Sequence, residues 1–163
     1  MKQYKPMLAS SAEAPFSSEN WIFEVKWDGI RAISYLEGEL SIRSRNQKEL
    51  TVNFPELSEL KDLTRDTVLD GEIIVMKDGK ADFQTLIKRS QNSDPRDIDY
   101  MARKFPATYI VFDILEKEGK ELLDIPLIER KRILKNSVRE GKFVVLSLFV
   151  EETGVPYYRA ALE

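Results

Sequence analysis

The strongest constraint on the fold is that the β-branched and aromatic runs are short and closed by turn residues. Residues 67–76, Thr-Val-Leu-Asp-Gly-Glu-Ile-Ile-Val-Met, and residues 107–115, Ala-Thr-Tyr-Ile-Val-Phe-Asp-Ile-Leu, have the length and composition of strands. Further strand-like runs occupy residues 21–27, 30–36, 39–44 and 142–150, with a short partner strand at 121–123. Gly38, Gly79 and Gly119 punctuate the first meander, the turn at 77–80 and the turn after 115. Helical periodicity is confined to single segments. These are residues 54–63, with Asn53 as N-cap and Pro55 in the first turn, residues 82–89, capped by Asp82, and a basic amphipathic stretch at 126–137. Strands joined by tight turns outnumber helices, so the expected class is α+β, with antiparallel sheets and flanking helices rather than a doubly wound parallel sheet.

Two regions are expected to be irregular. Residues 1–20 contain Pro6, Pro15 and four serines and read as a lead-in to a sheet-and-helix body spanning 21–163. Residues 90–99 are polar, contain Pro95, and read as a mobile loop.

Composition narrows the chemistry. The 163 residues include no cysteine and no histidine, which removes disulfides, thiol nucleophiles, structural zinc and histidine-based triads. Reaction chemistry is left to Lys, Asp, Glu, Arg, Tyr, Ser and Thr, with any metal a hard one held by carboxylates or phosphates. A net charge of −3 argues against gripping nucleic acid by bulk charge, though not against a local basic face. No apolar run reaches the length of a membrane span and the N-terminus has no apolar signal core, so cytoplasmic residence and no membrane partner are expected.

The densest chemistry lies at residues 24–31, Glu-Val-Lys-Trp-Asp-Gly-Ile-Arg. If the strand at 21–27 is regular, Phe23, Val25 and Trp27 share one face, and Glu24, Lys26 and Asp28 share the other. Such a trio is either a solvated salt-bridge face on an edge hairpin or a functional set, because charge inside an apolar hairpin is costly unless paired or used. A lysine attacks phosphorus only as the free amine. From an ordinary pKa of about 10.4, neutralising it at pH 7 costs about 4–5 kcal/mol. Desolvation and a cation such as Arg31 lower that cost, whereas Glu24 and Asp28 raise it, so the stretch alone does not establish an activated lysine.

Three other segments carry the same ambiguity. Asp70-Gly71-Glu72 interrupts an apolar strand and is either a solvated bulge or a carboxylate set for a ribose hydroxyl or a metal. Ser44-Arg45-Asn46 is either a charged turn or an anion contact. Residues 109–113, Tyr-Ile-Val-Phe-Asp, are either core strand or a platform on which Phe112 stacks against a purine, an interaction worth about 1–3 kcal/mol.

Lys26-Trp-Asp-Gly29-Ile-Arg31 resembles the nucleophile motif K-x-D-G-x-R of the covalent nucleotidyltransferases: ATP-dependent DNA ligases, RNA ligases and mRNA capping enzymes. Ser44-Arg45-Asn46, residues 70–74 and residues 109–115 follow in that family's motif order. The wording of residues 23–32, with Pro6-Met7-Leu8-Ala9, residues 53–57 and residues 83–89, is most similar to the ligase domain of prokaryotic ligases of non-homologous end joining. The resemblance implies an adenylation-domain, ATP-grasp-like fold. It implies that Lys26 attacks the α-phosphate of ATP to form Lys-AMP, that Glu24 reads the adenine amino group, and that Arg31 and Arg45 contact ribose and phosphates. It further implies that Glu72 binds the ribose hydroxyl, that Phe112 stacks on adenine, and that Asp28 shapes the turn. Magnesium would accompany the triphosphate, and no residue here is matched to it. Nicked or broken duplex DNA would be the partner of the full enzyme.

The family's later motifs, an E-G-x-x-x-K segment and a lysine-rich strand, are not found, nor is the oligonucleotide-binding domain. The chain is therefore expected to be a truncated adenylation domain that does not seal nicks alone. An RNA ligase or capping-type enzyme, and a non-catalytic nucleotide-binding module, are the alternatives. NAD-dependent ligases are disfavoured, because no nicotinamide-binding region precedes the nucleophile strand.

Overall fold

The computed structural model describes residues 2–162. The chain divides into two units, one comprising residues 2–6 and 27–146, the other residues 7–26 and 147–162.

The larger unit is built on a seven-stranded sheet. Its strands are β2 (Ile30–Glu37), β3 (Glu39–Ser44), β4 (Thr67–Lys77), β5 (Lys80–Ala81), β6 (Ala107–Lys117), β7 (Lys120–Glu121) and β8 (Val144–Leu146). The order is β3-β2-β4-β6-β7, with β5 paired to β4 and β8 to β6. Every pairing is antiparallel except β6 with β8. One face of the sheet carries Ala32, Ile42, Leu69, Ile73, Tyr109, Val111 and Ile114 into the main core. Leu57, Leu60, Leu86 and Leu134 of the helical segments complete it, with Phe54 and Val138 beside them. The helical segments of this unit are 3-10 turns at Thr51–Asn53 and Pro55–Glu59, α1 (Leu60–Leu63), α2 (Phe83–Gln91), α3 (Pro95–Lys104) and α4 (Leu127–Ser137). A smaller cluster gathers Tyr4, Ile33, Tyr35, Val68 and Leu115, and there Tyr4 Oη donates to Glu116 Oε2 at 2.6 Å.

The smaller unit pairs β1 (Ser18–Glu24) antiparallel with β9 (Phe149–Glu152) and adds α5 (Gly154–Ala160). Phe16 packs edge-on against Trp21 and Phe23, at centroid distances of 5.1 and 5.3 Å.

Several expectations need correction. The strand expected over 21–27 ends at Glu24, so no strand alternation places Lys26 and Asp28 beside Glu24. It does not pair with the next strand either, because β1 takes its partner from residues 149–152 and β2 pairs with β3 and β4. The run expected as one strand over 142–150 is two, β8 and the start of β9, in different sheets. The helix expected over 54–63 is mostly 3-10. Asn53 is not its cap, since its amide instead donates to the carbonyls of Arg89 and Asn92. The loop expected over 90–99 contains the start of α3, with Asp94 as N-cap and Pro95 in the first turn. That helix does carry apolar residues at helical spacing, Ile98, Met101 and Ala102, but only Ile98 is fully buried and Pro95 with the surrounding polar residues masks the pattern in sequence. Residues 70–72 do not interrupt their strand. β4 runs unbroken, and the irregularities fall on β6.

Candidate active site

Arg31 leads β2 across from Glu72 of β4, and Ile33 lies across from Asp70. Alternation puts Arg31, Asp70 and Glu72 on the sheet face opposite the main core. There Arg31 grips Asp70 with a bidentate fork, Nε to Oδ1 at 2.6 Å and Nη2 to Oδ2 at 2.8 Å. The Asp70 side chain is 4% exposed. Burial pushes its carboxyl above the usual carboxylate range, and the guanidinium opposes that rise. Burial likewise works against charge on Arg31, but the Asp70 carboxylate outweighs it and the guanidinium is held the more firmly.

The neighbouring strand supplies the aromatic. Asp70 pairs with Asp113 and Gly71 with Val111, so Phe112 is the extra residue of a β-bulge. Its ring lies under Arg31, with Cζ 4.3 Å from the ring centroid, within cation–π range.

Two glycines permit this arrangement. A Cβ on Gly29 would fall 2.2 Å from the Ile73 carbonyl, and one on Gly71 would fall 2.5 Å from the Ile110 carbonyl and 2.6 Å from the Tyr109 ring. Both motif glycines are thus demanded by close backbone packing. Tyr109 is fully buried beneath Gly71. Its hydroxyl donates to the Ala32 carbonyl at 2.9 Å, with the Leu69 carbonyl at 3.2 Å, and burial drives its pKa upward.

The turn after β3 is tied to this face through the backbone, since the Arg45 amide donates to the Arg31 carbonyl at 3.1 Å. The Arg45 side chain is exposed. Four of the six residues singled out in the sequence, Arg31, Arg45, Glu72 and Phe112, therefore converge on adjoining elements of one unit. Glu24 and Lys26 belong to the smaller unit, where both line a pocket of about 550 Å³ with Phe16, Phe23, Tyr157 and Tyr158. Lys26 is exposed and Glu24 is half-buried.

Sequence reasoning gave Asp70 no role of its own and passed over two cations of α4. Arg130 forks onto Asp113, Nε to Oδ1 and Nη2 to Oδ2, both at 2.8 Å. Lys131, only 5% exposed, donates to the Phe112 carbonyl at 2.5 Å. The available signal was a basic helix following a strand whose acid needed a partner. No cluster of three or more acidic side chains suited to a metal occurs among the described residues. Asp70 and Asp113 are each held by an arginine.

The model of the family described as ATP dependent DNA ligase domain matches residues 6–153. This chain belongs to that family. Among curated relatives of this ligase-family chain, the SPbeta prophage-derived DNA ligase-like protein LigB of Bacillus subtilis is 36% identical over 97% of this chain and 56% of its own length. DNA ligase C of Mycobacterium tuberculosis is 35% identical over 85% of this chain and 38% of its own. The ligase-family chain thus spans about half, or less, of the length of the relatives it matches. Its fold is that of solved ligases: mycobacterial DNA ligase D complexed with ATP and MES superposes with a TM-score of 0.74 at 23% identity, covering 97% of this chain and 50% of that one. The ligase domain of M. tuberculosis LigD gives a TM-score of 0.68 at 24% identity, covering 90% and 45%. No helix among the described residues is long and apolar enough to cross a membrane.

Proposed function

We propose that this chain carries the nucleoside pocket and the lysine nucleophile of an ATP-dependent DNA ligase, as part of an adenylation domain. The observation that carries this reading is the convergence of Arg31, Glu72 and Phe112, from three separated motifs, on one face of β2, β4 and β6. Phe112 offers a π-face for the purine. Glu72 accepts from the ribose hydroxyl, Arg31 and Arg45 approach ribose and phosphates, and Glu24 reads the adenine amino group. The Lys26 Nζ lone pair attacks the α-phosphorus of ATP. A phosphorus–nitrogen bond forms, the bond to the β-phosphate oxygen breaks, pyrophosphate leaves, and the amine proton passes to solvent. In the longer protein the adenylate then passes to a 5′-phosphate at a nick or break in duplex DNA. A cytoplasmic location belongs to the same reading.

The deciding experiment is intact-mass measurement after incubation with ATP and magnesium. This part of the domain is expected to self-adenylate slowly or not at all, and any AMP adduct that forms should disappear in Lys26→Ala and Lys26→Arg. An adduct that persists in both variants removes Lys26 as nucleophile. A longer protein that binds ATP yet never acquires the adduct indicates a binding module.

A further inference from the structure

The outer edge of β6 is incomplete where it matters. β8 covers Tyr109–Val111 and β7 covers Glu116 and Lys117, leaving residues 112–115 without a strand partner on that edge. An unpaired carbonyl in such a gap costs about 1–3 kcal/mol when buried. The gap lies beside the Phe112 bulge, and a bulge breaks the regular ladder and re-aims its side chain. Two groups from one helix occupy it. Lys131 places its ammonium on the Phe112 carbonyl, and Arg130 both forks onto Asp113 and donates through Nη1 to the Ile125 carbonyl at 2.6 Å. α4 is itself anchored, with Leu134 and Val138 in the main core. Asp113 also accepts from the Ile114 amide at 2.9 Å, so its carboxylate links the helix to the strand on the far side of the bulge.

Resting on the ligase reading above, we infer that Lys131 and Arg130 are positioning residues for the base. They fix the bulge that presents the Phe112 ring to the purine of ATP, and α4 thereby sets affinity for the base rather than for the phosphates. The ammonium stands where a neighbouring strand would otherwise place an amide. An aliphatic side chain would fill the volume but leave the carbonyl without its donor.

The test is a double-mutant cycle on nucleotide binding in the 163-residue chain, read with ATP and with base-free ribose triphosphate. Phe112→Ala is expected to weaken ATP about 5- to 150-fold, the scale of one lost base–aromatic stack, and to weaken the base-free ligand far less, through the Arg31 contact alone. Lys131→Met should weaken ATP about tenfold, by losing part of the same stack, without effect on ribose triphosphate. In the Phe112→Ala background the Lys131→Met loss should vanish, because the lysine acts through the ring. Lys131→Gln, which keeps a donor, should restore most of the affinity, and it supplies the comparison if Lys131→Met does not fold. Additive losses, equal losses for both ligands, or an unchanged ATP affinity in Lys131→Met would each overturn the inference. A wild-type chain with no ATP affinity would instead refute the ligase reading beneath it. The Arg130→Gln variant should behave as Lys131→Met does.

Discussion

Arg31 is bound twice over, forked onto Asp70 below and lying across the Phe112 ring at 4.3 Å. A guanidinium so held is fixed in place. It cannot swing out without surrendering the buried Asp70 carboxylate.

Asp70→Asn is therefore expected to cost more than a surface ion pair. Truncating one member of a buried pair typically costs about 3–5 kcal/mol, and the 28% exposure of the Arg31 side chain places this case at or below the lower end. Urea denaturation should show the loss, and ATP binding by the folded variant should fall as Arg31 loses its orientation. An unchanged midpoint with unchanged affinity would show that the fork is dispensable.

Gly71→Ala should destabilise by about 1–3 kcal/mol, the usual cost of overpacking, because the new methyl meets the Ile110 carbonyl and the Tyr109 ring. Combining it with Tyr109→Leu should recover part of the ring's share of that loss but not the carbonyl's. Thermal denaturation of the two singles and the double separates these contributions.

Arg89 is 1% exposed and anchors α2, with Nη1 and Nη2 on Glu56 at 2.6 and 2.9 Å and further bonds to the Phe105 and Asn53 carbonyls. Glu56→Gln should lower stability by about 3–5 kcal/mol, while leaving the Arg31–Phe112 face intact in any protein that remains folded. A loss within a few tenths of a kcal/mol, measured by urea denaturation, would contradict the account of this anchor.

Burial raises the pKa of Tyr109 above its ordinary value of 10.0. The neutral phenol is thus favoured in the folded state. Its contribution is fully present below about pH 10 and is lost as pH rises further, when the unfolded chain ionises first. Denaturant midpoints measured from pH 8 to 11 should decline at the alkaline end, and Tyr109→Phe should make that decline shallower. Equal slopes for the two proteins would remove Tyr109 as a source of the pH dependence.

Legibility in the sequence followed the range of the interactions involved. β2, β3 and the strand containing Phe112 could be read because their alternation and glycine turns are local. The Asp82 cap could be read for the same reason, and its side chain does accept from the Thr85 amide. The pairing of β1 with residues 149–152 could not, because nothing near residue 18 encodes a partner more than a hundred residues away. The bulge at Phe112 was hidden too, since a bulge is a mismatch between two strands and leaves no mark on either alone. Arg31 and Phe112, singled out from separate motifs, do lie against each other. What the sequence withheld was that Asp70 holds the arginine and that α4 holds the strand.

The single parallel ladder among the described residues has a consequence for synthesis. β6 gains β4 from the chain already made, but its outer edge waits for residues 144–146, which emerge only after α4. At about 5–20 residues per second, that delay is on the order of seconds. Through it, Tyr109, Ile110 and Val111 present a bare hydrogen-bonding edge on the ribosome, the kind of edge to which foreign strands add. Slow elongation between residues 112 and 146 would prolong the hazard, so translation speed across α4 bears on yield even where the finished fold is unaffected.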